Sequence, residues 1–304
     1  MKLRFGTRGS RLAVAQTGQV ADALRARGLE VDLVTIRTSG DRLADVALAD
    51  FGGKALFVKE IEEALLDGRV DAGVHSLKDM PAVLPEGLCL VAFPLREDPR
   101  DVLLTRAGGG LDDLPRGARV ATSSLRRRAL LLARRPDLSV EPIRGNVDTR
   151  LRKLEEGLYD AMVMARAGLD RLGLKPEHSH VLSAEEFLPA VGQGILGVEA
   201  RAADRSLLEA LRSLDDAATR AEALAERAFL RRLGAGCHTP VAGLARLSGA
   251  ALDMDGLVSS LDGRTVIRGR AGGSANHPEA LGESLADDLL SRGARAILDA
   301  GGPA

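Results

Sequence analysis

Apolar and polar positions along this chain follow two periods that take turns. Lys2–Gly6 reads as a short apolar strand. Leu12–Arg27 carries Leu12, Ala15, Val20, Ala23 and Leu24 at helical spacing, and Val31–Arg37 alternates as a strand. A helix over Lys59–Leu66 and a strand over Ala72–His75 follow, with a loop through Pro81. The same rhythm restarts near Arg100. Strands are predicted at Asp101–Thr105, Arg119–Ala121, Leu138–Pro142 and Ala161–Ala165. Helices are predicted at Leu125–Arg135, stopped by Pro136, and Val147–Glu156, capped by Asn146. After Gly192-Gln193-Gly194 a lone strand, Ile195–Glu199, and a helix around Arg205–Leu214 fit a chain crossing back into its first unit. From Asp215 the texture changes. Thr219 and Glu222 have capping-box spacing ahead of a helix, Ala221–Leu233. Strands near Val241–Leu247 and Ala250–Leu257, a turn at Asp262-Gly263, a further strand and a helix Pro278–Leu289 complete a small α+β unit. The βαβ rhythm predicts mixed or parallel sheets covered by helices.

Length and composition bound this picture. A chain of 304 residues, 45% hydrophobic, exceeds one core and predicts two or three domains. Aromatics are 2%, so Ala, Leu and Val must fill the interior. Two cysteines, Cys89 and Cys237, build neither a disulfide framework nor a zinc site. Cys89, in the apolar run Leu88–Phe93, is expected to be a buried small hydrophobe. No long apolar stretch resembles a signal peptide or a membrane span, so a soluble cytoplasmic protein is expected. No sequence feature demands more than a monomer.

Charge sharpens the reading. The net charge is −1, yet Arg116 to Lys153 holds ten Arg and one Lys against Asp137, Glu141 and Asp148. Arginine grips carboxylates and phosphates in a planar fork. Thr122-Ser123-Ser124-Leu125-Arg126-Arg127 reads as strand end, hydroxyl turn and helix start, an anion cradle at the carboxyl end of a strand. Arg144-Gly145-Asn146 repeats the design, with Arg150 one turn in. Arg128, Arg134 and Arg135 are expected to face water, as are Arg152 and Lys153. Arg8 and Ser10 lie between a strand and a helix. Gly52-Gly53-Lys54 lacks the spacing of a Walker loop. In His75-Ser76-Leu77-Lys78-Asp79-Met80-Pro81, a loop carboxylate beside a lysine could stabilise a cation or move a proton. Cys237 sits on a Gly-lined loop with His238, either an accessible nucleophile or a small buried residue.

Taken together, GTRGSRLAVAQ, GGKALFVKEIEEALLDG, DAGVHSLKDMP, REDPRDVLL, ATSSLRRRALLLARRPDL, IRGNVDTRLRKLEEGLYDAMVMARAGLDRLGL, LPAVGQGILGVEAR and GAGCHTPV resemble, in order, the porphobilinogen deaminase (hydroxymethylbilane synthase) family. The last sixty residues match only in texture. The resemblance implies two periplasmic-binding-protein-like domains with mixed sheets joined by a hinge, plus a small α+β C-terminal domain. By that reading residues 1–95 with 190–214, 96–189, and 215–304 form the three domains. It implies a transferase of porphyrin and haem biosynthesis that joins four porphobilinogen molecules head to tail, losing ammonia each time, into hydroxymethylbilane. A dipyrromethane cofactor on Cys237 would prime the chain. Asp79 would be catalytic, stabilising the azafulvenium cation. Ser76, Lys78, Thr122, Ser124, Arg126 and Arg127 would hold the cofactor; Arg8, Ser10, Phe57, Arg144, Arg150, Arg171 and Gln193 would serve substrate. The sequence departs from the family at Asp50, where some members carry a Lys, and at Ala235, which makes the loop GAGC rather than GGC.

Two other classes remain open on sequence alone. A non-catalytic binding protein of the periplasmic type would use the arginines but leaves Asp79 and Cys237 without a task. Nucleic-acid binding by the basic island lacks aromatics for stacking and a docking motif. Neither nucleic acid, a membrane nor a metal is an expected partner; the small molecule porphobilinogen is.

Overall fold

The computed structural model describes residues 2–37, 58–236 and 239–300. Phe57 and Cys237, and with them Asp50, Lys54 and His238, lie outside the described residues. The chain opens with β1 (Lys2–Thr7), α1 (Arg11–Arg25), β2 (Glu30–Thr35), α2 (Lys59–Leu66), β3 (Ala72–Ser76) and β4 (Leu88–Ala92). It continues through β5 (Asp101–Thr105), β6 (Arg119–Ala121), α3 (Leu125–Arg134), β7 (Ser139–Glu141), α4 (Val147–Glu155), β8 (Ala161–Ala165), α5 (Arg166–Arg171) and β9 (Ser179–Val181). Then come β10 (Leu196–Arg201), α6 (Arg205–Arg212), α7 (Ala217–Leu233), β11 (Val241–Ser248), β12 (Ala251–Ser259), β13 (Val266–Ser274), α8 (Pro278–Ser291) and α9 (Ala294–Ala300).

Two five-stranded mixed sheets result, in the orders β2-β1-β3-β10-β4 and β7-β6-β8-β5-β9. Each is parallel except for one strand. In the first, β10 runs against β3 and β4; in the second, β5 runs against β8 and β9. Those two strands are the ones reached directly after the chain crosses between sheets. The crossing segments touch: Glu97 N donates to Gly194 O at 3.2 Å. A Cβ at Gly194, whose φ is 86°, would stand 2.4 Å from Glu97 O, so only glycine permits the approach. The third unit is an antiparallel meander, β11-β12-β13, covered by α7 and α8 around Phe229, Met254 and Leu285.

Arg96, on the first crossing, fastens the third unit to this junction. Its guanidinium donates to Gln193 O (3.0 Å), Glu222 (3.1 Å) and the fully buried Glu226 (2.7 Å). Glu226 also accepts from the backbone N–H groups of Gly192 and Ala245.

Several sequence expectations need correction. Helix α7 begins earlier than the Thr219–Glu222 spacing predicts. Asp216 is the cap, accepting from Thr219 N at 2.8 Å, because the buried Thr219 hydroxyl accepts from Arg96 N and Glu222 from Leu247 N. Arg128 and Arg135 do not face water. Arg128 donates to Val140 O; Arg135 grips Asp137 and the carbonyls of Leu111 and Leu114. They find backbone carbonyls of β7 and of the loop ahead of β6, which helical phase alone does not reveal. Lys153 likewise donates to Arg144 O. Arg134, 52% exposed with Asp112, and Arg152, 66% exposed with Glu156, are surface charges as expected. Cys89 is only half-buried.

Candidate active site

The first sheet presents its residues through a tight turn. At the end of β3, a single 3₁₀ turn, Leu77–Asp79, is pinned by buried Leu77 and Met80. That leaves Lys78 half-buried and Asp79 exposed. Ser76 accepts from Gln16 Nε2 at 2.8 Å, which ties the turn to α1. Ser10 caps α1, accepting from Ala13 N at 3.3 Å, and Arg8 is half-buried just before it.

The second sheet answers with two capped helices. The buried Thr122 hydroxyl accepts from Ser124 N at 3.2 Å, and Ser124 caps α3 by accepting from Arg127 N at 3.4 Å. Asn146 caps α4, accepting from Thr149 N at 2.9 Å, as its sequence position predicts. Gly145, at φ 108°, frees its carbonyl to accept from Arg150 Nε at 2.8 Å. Arg144 is half-buried beside it.

Arg126 and Arg127 turn inward, and their chief partner is a carboxylate the sequence reading did not single out. Asp101, with none of its surface exposed, accepts from Arg126 Nη2 (2.7 Å), Arg127 Nη2 (2.7 Å) and Gln193 Nε2 (2.9 Å). Despite burial, the two guanidinium groups hold its carboxyl well below the usual carboxylate range. Lys78 Nζ donates to Gln193 Oε1 at 3.3 Å. Arg171 donates to Gly194 O at 2.7 Å and so lies against the second crossing. The acid at the head of the apolar strand Asp101–Thr105 was the available signal, since a charge leading a buried strand needs cationic partners.

Electrostatics brings the two sides together. Burial pulls Lys78 from 10.5 to about 8, and Arg127 and Arg126 push the same way against Asp79 and Asp101. Burial lowers Arg150 too; Arg127 and Arg144 add to the effect and Asp79 opposes it. Asp79 of the first sheet therefore lies within electrostatic reach of Arg150 of the second. Arg126 is also lowered, by burial first, and its buried Nε has no hydrogen-bond partner among the described residues. An anion entering this cluster would relieve all three shifts.

Comparison with known proteins decides the family. Residues 3–209 match the porphobilinogen deaminase dipyromethane cofactor binding domain, and residues 220–291 match the porphobilinogen deaminase C-terminal domain. The chain belongs to the porphobilinogen deaminase family. The match thus extends into the last sixty residues, which by themselves resemble the family only in texture. The chain is 55% identical to a porphobilinogen deaminase of Desulforudis audaxviator (strain MP104C) over 295 residues, 96% of each chain. It is 53% identical to that of Roseiflexus castenholzii (strain DSM 13941 / HLO8), covering 97% of this chain and 98% of the relative. Among solved structures it is distantly similar to the methionine binding protein MetQ, at 15% identity, TM-score 0.45, over 70% of this chain and 89% of that one.

The residues present fit the family's dipyrromethane cofactor. A dipyrromethane carries carboxylates on flexible arms, and the cluster offers buried and half-buried arginines, a lysine and an unpartnered guanidinium N–H.

Proposed function

We propose that the family reaction, the head-to-tail joining of porphobilinogen with loss of ammonia, takes place here between the two five-stranded sheets, with Asp79 as the catalytic carboxylate. The chain is a transferase of porphyrin biosynthesis, and its product is the linear tetrapyrrole hydroxymethylbilane. One observation carries the assignment of the site. Asp79 stands exposed on a pinned turn whose Lys78 is linked, through Gln193 and Asp101, to the guanidinium groups of Arg126 and Arg127 of the other sheet.

The residues divide the work by chemistry. Lys78, Ser76, Thr122, Ser124, Arg126 and Arg127 hold the carboxylates of the cofactor, which Cys237 carries through a thioether. When bound, the cofactor supplies the pyrrole position to which the first substrate is joined. Arg8, Ser10, Arg144, Arg150, Arg171 and Phe57 serve the substrate and the lengthening chain, while Gln193, buried and with its amide committed to Pro99 O, Asp101 and Lys78, supports them from behind. Porphobilinogen loses its aminomethyl nitrogen as ammonia, leaving a cation beside the Asp79 carboxylate. That carboxylate lowers the energy of the developing charge and accepts the proton released when the new carbon–carbon bond forms.

The sheet memberships support residues 1–95 with 190–214 as one domain, 96–189 as the second and 215–304 as the third. Cytoplasmic location and a monomeric state complete the proposal. Among the described residues no helix is long and apolar enough to cross a membrane.

The test is chemical. Purified chain should exceed its sequence mass by one dipyrromethane, give a pyrrole colour with Ehrlich reagent and consume porphobilinogen. Cys237→Ser should lose the added mass. A chain at bare sequence mass that leaves porphobilinogen untouched would end the proposal.

A further inference from the structure

Lys78, Arg126 and Arg127 come from two sheets, yet a single buried carboxylate links them. Asp101 opens β5, the first strand after the chain crosses between sheets. Its Oδ2 accepts from Arg126 Nη2; its Oδ1 accepts from Arg127 Nη2 and Nε and from Gln193 Nε2. Gln193, 1% exposed, sits on the return crossing. Its amide has no freedom of orientation. Nε2 is committed to two acceptors, Pro99 O (2.7 Å) and Asp101 (2.9 Å), so Oε1 must face Lys78 Nζ. A continuous line of hydrogen bonds therefore runs Lys78–Gln193–Asp101–Arg126 and Arg127, through the junction.

We propose that Asp101, acting through Gln193, is a positioning residue that assembles Lys78, Arg126 and Arg127 into one preset cationic array for pyrrole carboxylates. The inference rests on the roles proposed above for those three cations. Its physical basis is repulsion. Three cations packed this closely separate unless a fixed counter-charge lies among them, and a buried carboxylate cannot be screened away by salt. The ordering cost is met at folding rather than on ligand arrival, which is what preorganisation means. Asp101 touches no reacting atom and acts only through its partners.

Lys78 is the reporter. Among the charged groups acting on it, Arg127 and Arg126 disfavour its proton, and Asp79 and Asp101 favour it. Asp101→Asn keeps the shape and deletes an anion that favours the proton, so Lys78 must titrate lower. Gln193→Met leaves the Arg–Asp101 pairs intact and removes the acceptor that orders the ammonium, which shifts Lys78 in the same direction.

The experiment is an NMR titration of ¹⁵N-lysine-labelled, cofactor-free full-length chain, with Lys78→Met identifying the resonance. The native midpoint is expected near pH 8. Asp101→Asn should move it down by about one unit, a tenfold loss of proton affinity. Gln193→Met should move it down as well, and it carries the test alone if Asp101→Asn does not fold. An unmoved midpoint in whichever variant folds overturns the inference. The alkaline limit of cofactor acquisition, read as added mass after incubation with porphobilinogen, should fall in step. If Lys78 shifts and acquisition does not follow, the array stands and the assignment of Lys78 to carboxylates fails instead.

Discussion

Asp79 is held by its neighbours rather than by its own contacts with a core. Leu77 and Met80 are buried while Asp79 is exposed, so its side chain can be changed with little effect on packing. Asp79→Asn is expected to melt within a degree or two of the native chain and to lower kcat by roughly 10²–10⁴-fold, the range for a positioned acid–base group. Steady-state rates on porphobilinogen beside a thermal melt separate the two effects, and a variant that turns over normally would remove Asp79 from the chemistry. On α2, which packs against β3, lies a buried titratable group to which the proposed reaction gives no part. Burial, reinforced by Glu199 and opposed by His75, raises Glu62 from 4.5 to about 7. An acid whose folded pKa is raised adds stability fully present below its unfolded value. That contribution is lost as pH climbs through the folded value, here between about 4.5 and 7. Glu62→Gln should therefore melt higher than the native chain at pH 8, with the difference vanishing near pH 4.5. Melting curves at both pH values check it, and equal curves at pH 8 would contradict the assigned cause.

At the scale of elements, the joint between the crossing segments and α7 is where single changes should cost most. Glu226 is fully buried and answers Arg96, Gly192 N and Ala245 N together. Glu226→Ala leaves Arg96 with one acidic partner and two backbone donors unanswered, and should cost about 3–5 kcal/mol, as breaking a buried pair does. The surface pair Arg264–Asp262, at 86% and 57% exposure, makes the control, because Arg264→Ala should change stability by less than about 1 kcal/mol. Urea midpoints at constant slope measure both. This joint also marks the limit of what the sequence discloses. Local pattern reveals local structure: Asn146 caps the helix its position predicts, and the strands at Ala72–His75 and Ala161–Ala165 fall where the apolar runs put them. The motifs disclose the family and the loop bearing Asp79. Partners distant in sequence stay hidden. Nothing local says that Thr219 serves Arg96 instead of capping a helix, or that Arg126 and Arg127 meet an acid 25 and 26 residues away. Strand β9 is missed because Ser179-His180-Val181, an exposed edge, has no apolar rhythm to read.

Across the whole molecule, the helical layers of the two sheets also meet at an exposed ion pair. Arg11 at the start of α1 pairs with Asp148 in the first turn of α4 at 2.8 Å, and Leu12 of α1 faces Gly168 of α5. The pair joins α1 of the first sheet's layer to α4 of the second's, so any motion that separates these two helices breaks it. With side chains 56% and 46% exposed, it contributes about 0.2–1 kcal/mol, worth roughly a 1.4- to 5-fold bias toward the closed arrangement. A bias of that size tilts an open–closed equilibrium without fixing it. Asp148→Lys replaces attraction with repulsion and should shift the distance distribution between labels at Asp22 and Glu156 toward longer values. Adding Arg11→Glu should restore it by re-forming the pair in reverse. Both effects should shrink between 0.01 M and 1 M salt, where the screening length falls from about 30 to about 3 Å. Identical distributions for the native chain and Asp148→Lys at low salt would show that the pair holds nothing closed. Recovery in the double variant, which carries no native charge at either position, would assign the effect to charge across the cleft rather than to either side chain alone.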